Sequence, residues 1–305
     1  MLYVIEQVLN GVQLGMLLFL LAAGLTLIFG IMDLVNLAHG SLYMLGAYFA
    51  ATFAEATGSF VLGAVLALAA VFVSGTILEV IAIRPLYGRS HLDHVLGTFG
   101  LLLFFNELVR FVWGPAGMTL SLPSEMLTAV QVLPGVYYPF YRLVIILATL
   151  AVAALLYALV MRTRLGMLIR AGASNREMVG ALGVNIKLLY TLVFGLGAAL
   201  AGFAGLMQAP ILTVQIGMGE NILILAFVVI IIGGIGSIRG AFVAAIIVGL
   251  IDTLGRAFLP DLLKAALSTN AALTLAPALS SMSIYMLMAG ILVFRPEGLF
   301  PAAGR

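Results

Sequence analysis

QVLNGVQLGMLLFLLAAGLTLIFGIM, residues 7–32, contains no charged side chain. A helix crosses the hydrocarbon core of a bilayer, about 30 Å thick, with about 20 mostly apolar residues, and this run exceeds that length. Further charge-free runs occupy 34–54, 56–78, 143–161, 188–219, 221–238 and 265–294. Two more apolar stretches, 94–112 and 240–259, carry a few charges near one end. These runs are too long for barrel strands and lack their period-two alternation. Trimmed at Gly, Pro and polar clusters, they predict helices over 8–30, 37–56, 60–83, 94–112, 140–161, 188–209, 221–237, 240–259 and 281–295. The expected fold is all-α, a polytopic membrane helix bundle of about eight or nine transmembrane helices. A broken or re-entrant segment is expected at GGIGSIRG (233–240), which separates two short apolar stretches.

Composition agrees. Of the 305 residues, 64% are hydrophobic and 9% charged, against roughly 25% charged in soluble chains. Mean hydropathy is +1.23. So few charges exclude a soluble enzyme, and a net charge of +2 excludes a bulk basic field for nucleic acid. There is no cysteine, hence no disulfide or thiolate chemistry. Glu6 and the long run after it do not make a cleavable signal. The whole of 1–305 reads as one transmembrane domain, in which 162–187 and 113–139 are the longest intervals outside the spans. The latter carries Pro115, Pro123, Pro134 and Pro139 and reads as a loop. Its Trp113, Tyr137 and Tyr138, with Tyr141 beyond, suit an aromatic interface belt.

Lys and Arg placement orients the chain. If the spans alternate, Arg84, Arg89, Arg162, Arg164, Arg170, Arg176, Lys187, Arg239, Arg295 and Arg305 share one side, while Arg110, Arg142, Arg256 and Lys264 fall on or near the other. The N-terminus is therefore expected outside and the C-terminus in the cytoplasm.

Ionisable groups within spans are functional suspects, but Glu79 lies near Arg84, and Glu107–Arg110 and Asp252–Arg256 stand at helical spacing for local pairs. No unpaired acid sits at mid-span, which counts against a coupled transporter built on a buried carboxylate. His39, His91 and His94 are scattered, and no metal site is expected. IGS at 235–237 has no placed His partner for serine chemistry. Neither Lys187 nor Lys264 belongs to a phosphate-cradling Gly-Lys-Ser/Thr, so the chain is not its own ATP motor. Gly197, Ala201 and Gly205 lie on one helix face and read as close packing.

The segment RTRLGMLIRAGASNREMVGALGVN (162–185) is the sharpest feature. Ser174 and Glu177 form S-x-x-E, a capping box, and Gly183 reads as a helix stop. About two turns fit between them, with Met178, Ala181 and Leu182 on one face. Such a helix is marginal alone in water and needs a surface: lipid headgroups and a partner's groove both qualify.

Glu177 to Gly183 has the E-x-x-x-x-x-G spacing of the coupling loop in permease subunits of ATP-binding-cassette importers, although Met178 and Val179 replace the usual two alanines. The chain resembles the high-affinity branched-chain amino acid permeases of that superfamily. The matching stretches, in family order, are NGVQLGMLLFLLAAGLTLIFGIMDLVNLAHGSLYMLGAY (10–48), GTFGLLLFFNELVRFVWGP (97–115), RLGMLIRAGASNREMVGALGVN (164–185), GLGAALAGFAGLM (195–207), AFVVIIIGGIGSIRGAFVAAIIVGLIDTL (226–254) and FRPEGLF (294–300).

The resemblance implies a permease subunit of an ATP-driven importer for branched-chain or related small amino acids or amides, in the bacterial inner membrane. It implies a second permease subunit, with a heterodimer favoured, two ATP-binding subunits and an external substrate-binding protein. No cofactor is expected on this chain; ATP and Mg belong to the partner subunits. Ser174, Glu177, Met178, Val179, Leu182 and Gly183 are then the ATPase-coupling residues. NLAHGS and GGIGSIRG also match family motifs, and both are read as helix breaks at or near the cytoplasmic side. Free backbone groups at such breaks can line a polar pathway. Asn36, His39, Gly40, Ser41, Gly233, Gly234, Gly236 and Ser237 are the candidate substrate-pathway residues; tight turns and close helix contacts are the other reading. The alternative function is a stand-alone secondary transporter or channel for small polar solutes, which has no need of a docking helix.

Overall fold

The first charge-free run becomes the axis of the bundle. In the computed structural model, which describes residues 2–300 and so leaves Arg305 outside, α1 spans Leu2–Met32, about 46 Å of helix. Its most apolar window is 83% buried. The chain continues through α2 (His39–Thr57), α3 (Phe60–Leu78), a π-helical turn (Glu79–Ile83) and α4 (His91–Trp113). A short antiparallel hairpin, β1 (Ala129–Leu133) and β2 (Val136–Pro139), leads to α5 (Phe140–Arg162), α6 (Arg164–Ser174) and α7 (Arg176–Ala181). Helices α8 (Ile186–Gln208), α9 (Met218–Gly233), α10 (Ile238–Lys264) and α11 (Thr269–Phe294) complete it.

Seven of the described helices, α1, α3, α4, α5, α8, α10 and α11, are long and apolar enough to cross a membrane. Two other apolar candidates fall outside this set. α9 has 16 residues, and α2 starts deep in the bundle. The window of α8 is 61% buried, while that of α11 is 11% buried. Apolar side chains on the outer faces of α3, α4, α5 and α11 are therefore left for lipid, as a bilayer permits and water does not. The expected small-residue face of α8 packs as read: Gly197 lies against Gly24 of α1, and Gly205 against the Tyr43 carbonyl of α2.

Several expectations change. Residues 113–139 are not all loop; Gly135, with φ +83°, turns the β1–β2 hairpin. Three of the four aromatics expected at a lipid belt turn inward. Trp113 donates to Thr52, Tyr138 to Asn10 and Tyr141 to the Met207 carbonyl, leaving Tyr137 exposed. The last helix begins at Thr269, not 281. The Ser268 hydroxyl caps it, and the Ser280 hydroxyl within it donates to the Asp252 carbonyl.

Two ends of the bundle are defined by contacts. At one, Asn10 accepts from Arg142 and Tyr3 meets Phe258 edge to face. At the other, Tyr190 donates to Ile31 and Gly172 meets the Ile31 side chain. The 162–187 segment, the 233–240 turn and the Met32 end of α1 share this second end.

Candidate functional site

Residues 162–185 fold as two helices rather than one. Thr163 is extended, and its hydroxyl accepts from the Gly166 N–H (3.1 Å), starting α6. Gly166, Ile169 and Gly172 form the buried face of α6, and Arg170 donates to the Val160 carbonyl at the end of α5. Ser174 ends α6, so the expected Ser174–Glu177 capping box does not form. Asn175 is the cap, its Oδ1 accepting from the Met178 N–H at 2.9 Å. Either side chain supplies an acceptor; the extended backbone of Asn175 aims its own at the free N–H of the first turn.

Gly183 stops α7 as expected. With φ +85° it closes a two-bond C-terminal motif: its N–H donates to Gly180 (3.0 Å) and the Val184 N–H to Val179 (3.3 Å). A Cβ at Gly183 meets nothing within 4 Å, so the left-handed backbone alone selects glycine. Val179 is 5% exposed and anchors the helix. Met178 (59% exposed) and Leu182 (77% exposed) face away from the chain, and Glu177 is exposed beside them. The candidate coupling residues therefore divide: Val179 holds the helix, and Met178 and Leu182 offer an apolar outer face.

Behind α6 lies a cavity of about 540 Å³, lined in part by Ser174, Gly236 and Ser237. Ser237 caps α10 by accepting from Gly240 (3.1 Å). Gly234, with φ +103°, lets the FRPEGLF segment pack against the turn; Leu299 and Phe300 donate to the Ile232 and Gly233 carbonyls at 2.8 and 3.0 Å. Two motifs distant in sequence thus meet.

NLAHGS goes elsewhere. Its helix start lies not at the Met32 end but inside the bundle. The His39 Nε2 is 3.1 Å from the Leu21 carbonyl, about 16 Å along α1 from Met32. The connecting residues are held at that depth by α4, where Thr98 Oγ1 accepts from the Leu37 N–H at 3.1 Å. The α2 and α9 N-termini cross here, with the Gly40 and Gly219 backbones in contact. Asn36 and His39 are fully buried and Ser41 nearly so. Among the described residues, both side-chain heteroatoms of Asn36, the Ser41 hydroxyl and His39 Nδ1 have no hydrogen-bond partner. The cavity therefore gathers Gly236 and Ser237 but not Asn36, His39, Gly40 or Ser41.

Sequence reasoning understated one cluster. Glu79 is fully buried. Arg84 reaches it bidentately (Nε–Oε1 3.1 Å, Nη2–Oε2 2.8 Å), Tyr87 donates to Oε1 (2.7 Å), and Thr191 of α8 donates to Oε2 (2.7 Å). The π turn makes this possible. Its bond from the Arg84 N–H to the Glu79 carbonyl stacks residues five apart, which an α-helix would point in different directions. Burial, then the bond to Glu79, pushes the Tyr87 hydroxyl above the ordinary phenol range. The expected local pairs Glu107–Arg110 and Asp252–Arg256 form at 3.1 and 2.9 Å.

The sequence model of branched-chain amino acid transport system permease components matches residues 7–292. The chain belongs to this family. Its relatives include the high-affinity branched-chain amino acid transport system permease protein BraD of Pseudomonas aeruginosa, 28% identical over 97% of this chain and 95% of that protein. LivH of Escherichia coli, a permease protein of the same description, is 30% identical over 85% of this chain and 88% of its own. A probable branched-chain amino acid permease of Methanocaldococcus jannaschii is 28% identical over 78% and 76%. No solved structure matches. The chain is a multi-pass membrane permease component, and its relatives are transport subunits rather than enzymes in themselves.

Proposed function

We propose that this permease translocates branched-chain amino acids into the cell, driven by ATP hydrolysis on partner subunits. The observation that carries the coupling is α7. A capped two-turn helix stands on α6 with Val179 buried and Met178 and Leu182 exposed together. Apolar side chains at i and i+4 on the outer face of a short helix fit a helix-in-groove contact.

In this reading Asn175, Glu177 and Gly183 hold the shape of α7, and Met178 and Leu182 enter the ATPase groove. Push on α7 reaches the bundle through α6, which rests on Ile31, and through α8, which follows directly. Two ATP-binding subunits carry ATP and Mg; this chain binds neither. A second, non-identical permease subunit and an external binding protein complete the importer. The basic segments 84–89 and 162–187 face the cytoplasm, which puts the N-terminus outside and the C-terminus inside. Translocation involves the α2–α9 junction (Asn36, His39, Gly40, Ser41), whereas the α9–α10 turn (Gly233, Gly234, Gly236, Ser237) serves as a tight turn and close helix contact, the other reading of that motif. Buried polar groups without partners and two helix N-termini at mid-depth suit the carboxylate of a passing amino acid.

The test is Leu182→Asp in the intact transporter. A charge on an exposed side chain leaves insertion unchanged; uptake falls more than tenfold and the binding-protein-stimulated ATPase falls with it. Wild-type uptake in this variant overturns the docking assignment. A wild-type chain that purifies alone and moves solute in liposomes without ATP overturns the importer.

A further inference from the structure

The cavity behind α6 has a charge pattern that the transported solute does not need. Its mouth carries Arg170 from α6 and Arg239 from the first turn of α10. None of the four ion pairs among the described residues includes either arginine, and no Asp or Glu lines the cavity. Arg170 uses one donor on the Val160 carbonyl. Arg239 lies over the Tyr157 ring (5.6 Å), its Nη2 3.4 Å from the hydroxyl. Each guanidinium has five N–H donors, so most have no partner among the described residues. The capped N-terminus of α10 adds partial positive charge on the same wall.

We infer that the cavity binds the phosphate headgroup of an anionic phospholipid. A zwitterionic amino acid would bring an ammonium that finds no carboxylate here. An anion matches both arginines and the helix end, and guanidinium is suited to phosphate oxygens. The remaining wall, including Leu27, Ile31, Val160 and Phe300, is apolar and suits the glycerol and first methylenes rather than a free ion. Tyr157 and Met161, at the rim, are 46% and 41% exposed on the outer surface of the bundle, where lipid has access. Basic pockets between membrane helices take such headgroups. The assignment to the cytoplasmic leaflet and the role of α7 as a coupling arm rest on the function proposed above. Since α6 is one wall and continues into α7, a bound headgroup would brace the coupling arm.

The test is native mass spectrometry of the intact detergent-purified transporter, titrated with phosphatidylglycerol, with phosphatidylcholine, and with inorganic phosphate as competitor. The first phosphatidylglycerol is expected to bind roughly tenfold more tightly than phosphatidylcholine, and Arg170→Gln/Arg239→Gln to remove most of that preference. Arg239→Gln alone, which leaves the Arg170–Val160 contact in place, is expected to remove part of it without changing assembly. Equal binding of the two lipids, or an undiminished preference in the double variant, overturns the proposal. Displacement by millimolar phosphate overturns the lipid occupant and leaves a soluble-anion site.

Discussion

NLAHGS (36–41) and NREMVGALG (175–183) are both helix starts rich in polar and small residues, yet they end in opposite surroundings. The first is sealed between α1, α4 and α9. Asn36 is fully buried with neither side-chain heteroatom paired among the described residues. The second stands free, its apolar Met178 and Leu182 outermost. One carries polar groups where apolar ones are cheap, and the other carries apolar groups where polar ones are cheap. Each inverts the local rule of burial, and such inversions mark function more often than stability.

The comparison breaks most completely at the α2–α9 crossing. A side chain at Gly219 would fall on the Gly40 carbonyl, and backbone cannot move aside as a flexible side chain can. Gly219→Val is expected to abolish the folded chain, read as loss of the monodisperse peak in detergent chromatography. A normal peak would mean that the two helices separate at little cost.

Smaller, but still large, is the effect at Glu79, which links α3 to the start of α8 just beyond α7. Glu79→Gln leaves the Arg84 guanidinium without its bidentate carboxylate. Breaking one side of a fully buried pair costs about 3–5 kcal/mol; with the Arg84 side chain 30% exposed the loss is smaller, and the melting temperature should fall by a few degrees. Insertion without destabilisation would show that solvent already screens the pair.

The smallest stability change and the sharpest contrast belong to Asn36. An unsatisfied buried polar atom costs about 1–3 kcal/mol. Asn36→Leu, of similar size, should therefore leave melting unchanged or slightly raised while uptake falls. A rise in stability with full uptake would remove Asn36 from the pathway.

Much of this fold is legible in the chain. The α5 and α8 boundaries fall within about two residues of the expected helices 140–161 and 188–209, because no polar backbone end is tolerated in lipid. Gly183 is legible too, since only a left-handed stop explains glycine there. The cap at Asn175 is not, because Ser174 and Asn175 are both good cap residues and backbone direction chooses between them. Nor is α6, whose Gly166, Ile169 and Gly172 form a buried face only because α5 and Ile31 supply the other half. Arg170 and Arg239 look like ordinary positive-inside residues until the fold sets them on one cavity.

What the sequence by itself determined is the order of the apolar helices, the approximate ends of most of them, and the presence of a short helix between α5 and α8. Hydrocarbon imposes these through length and charge, which are local properties. Only the tertiary structure decided the depth of His39, the burial of Val179 beside an exposed Leu182, the three-residue shell around Glu79 and the meeting of FRPEGLF with the α9–α10 turn. Each of these depends on which backbones approach one another across the bundle, and that is set by packing between segments far apart in the chain.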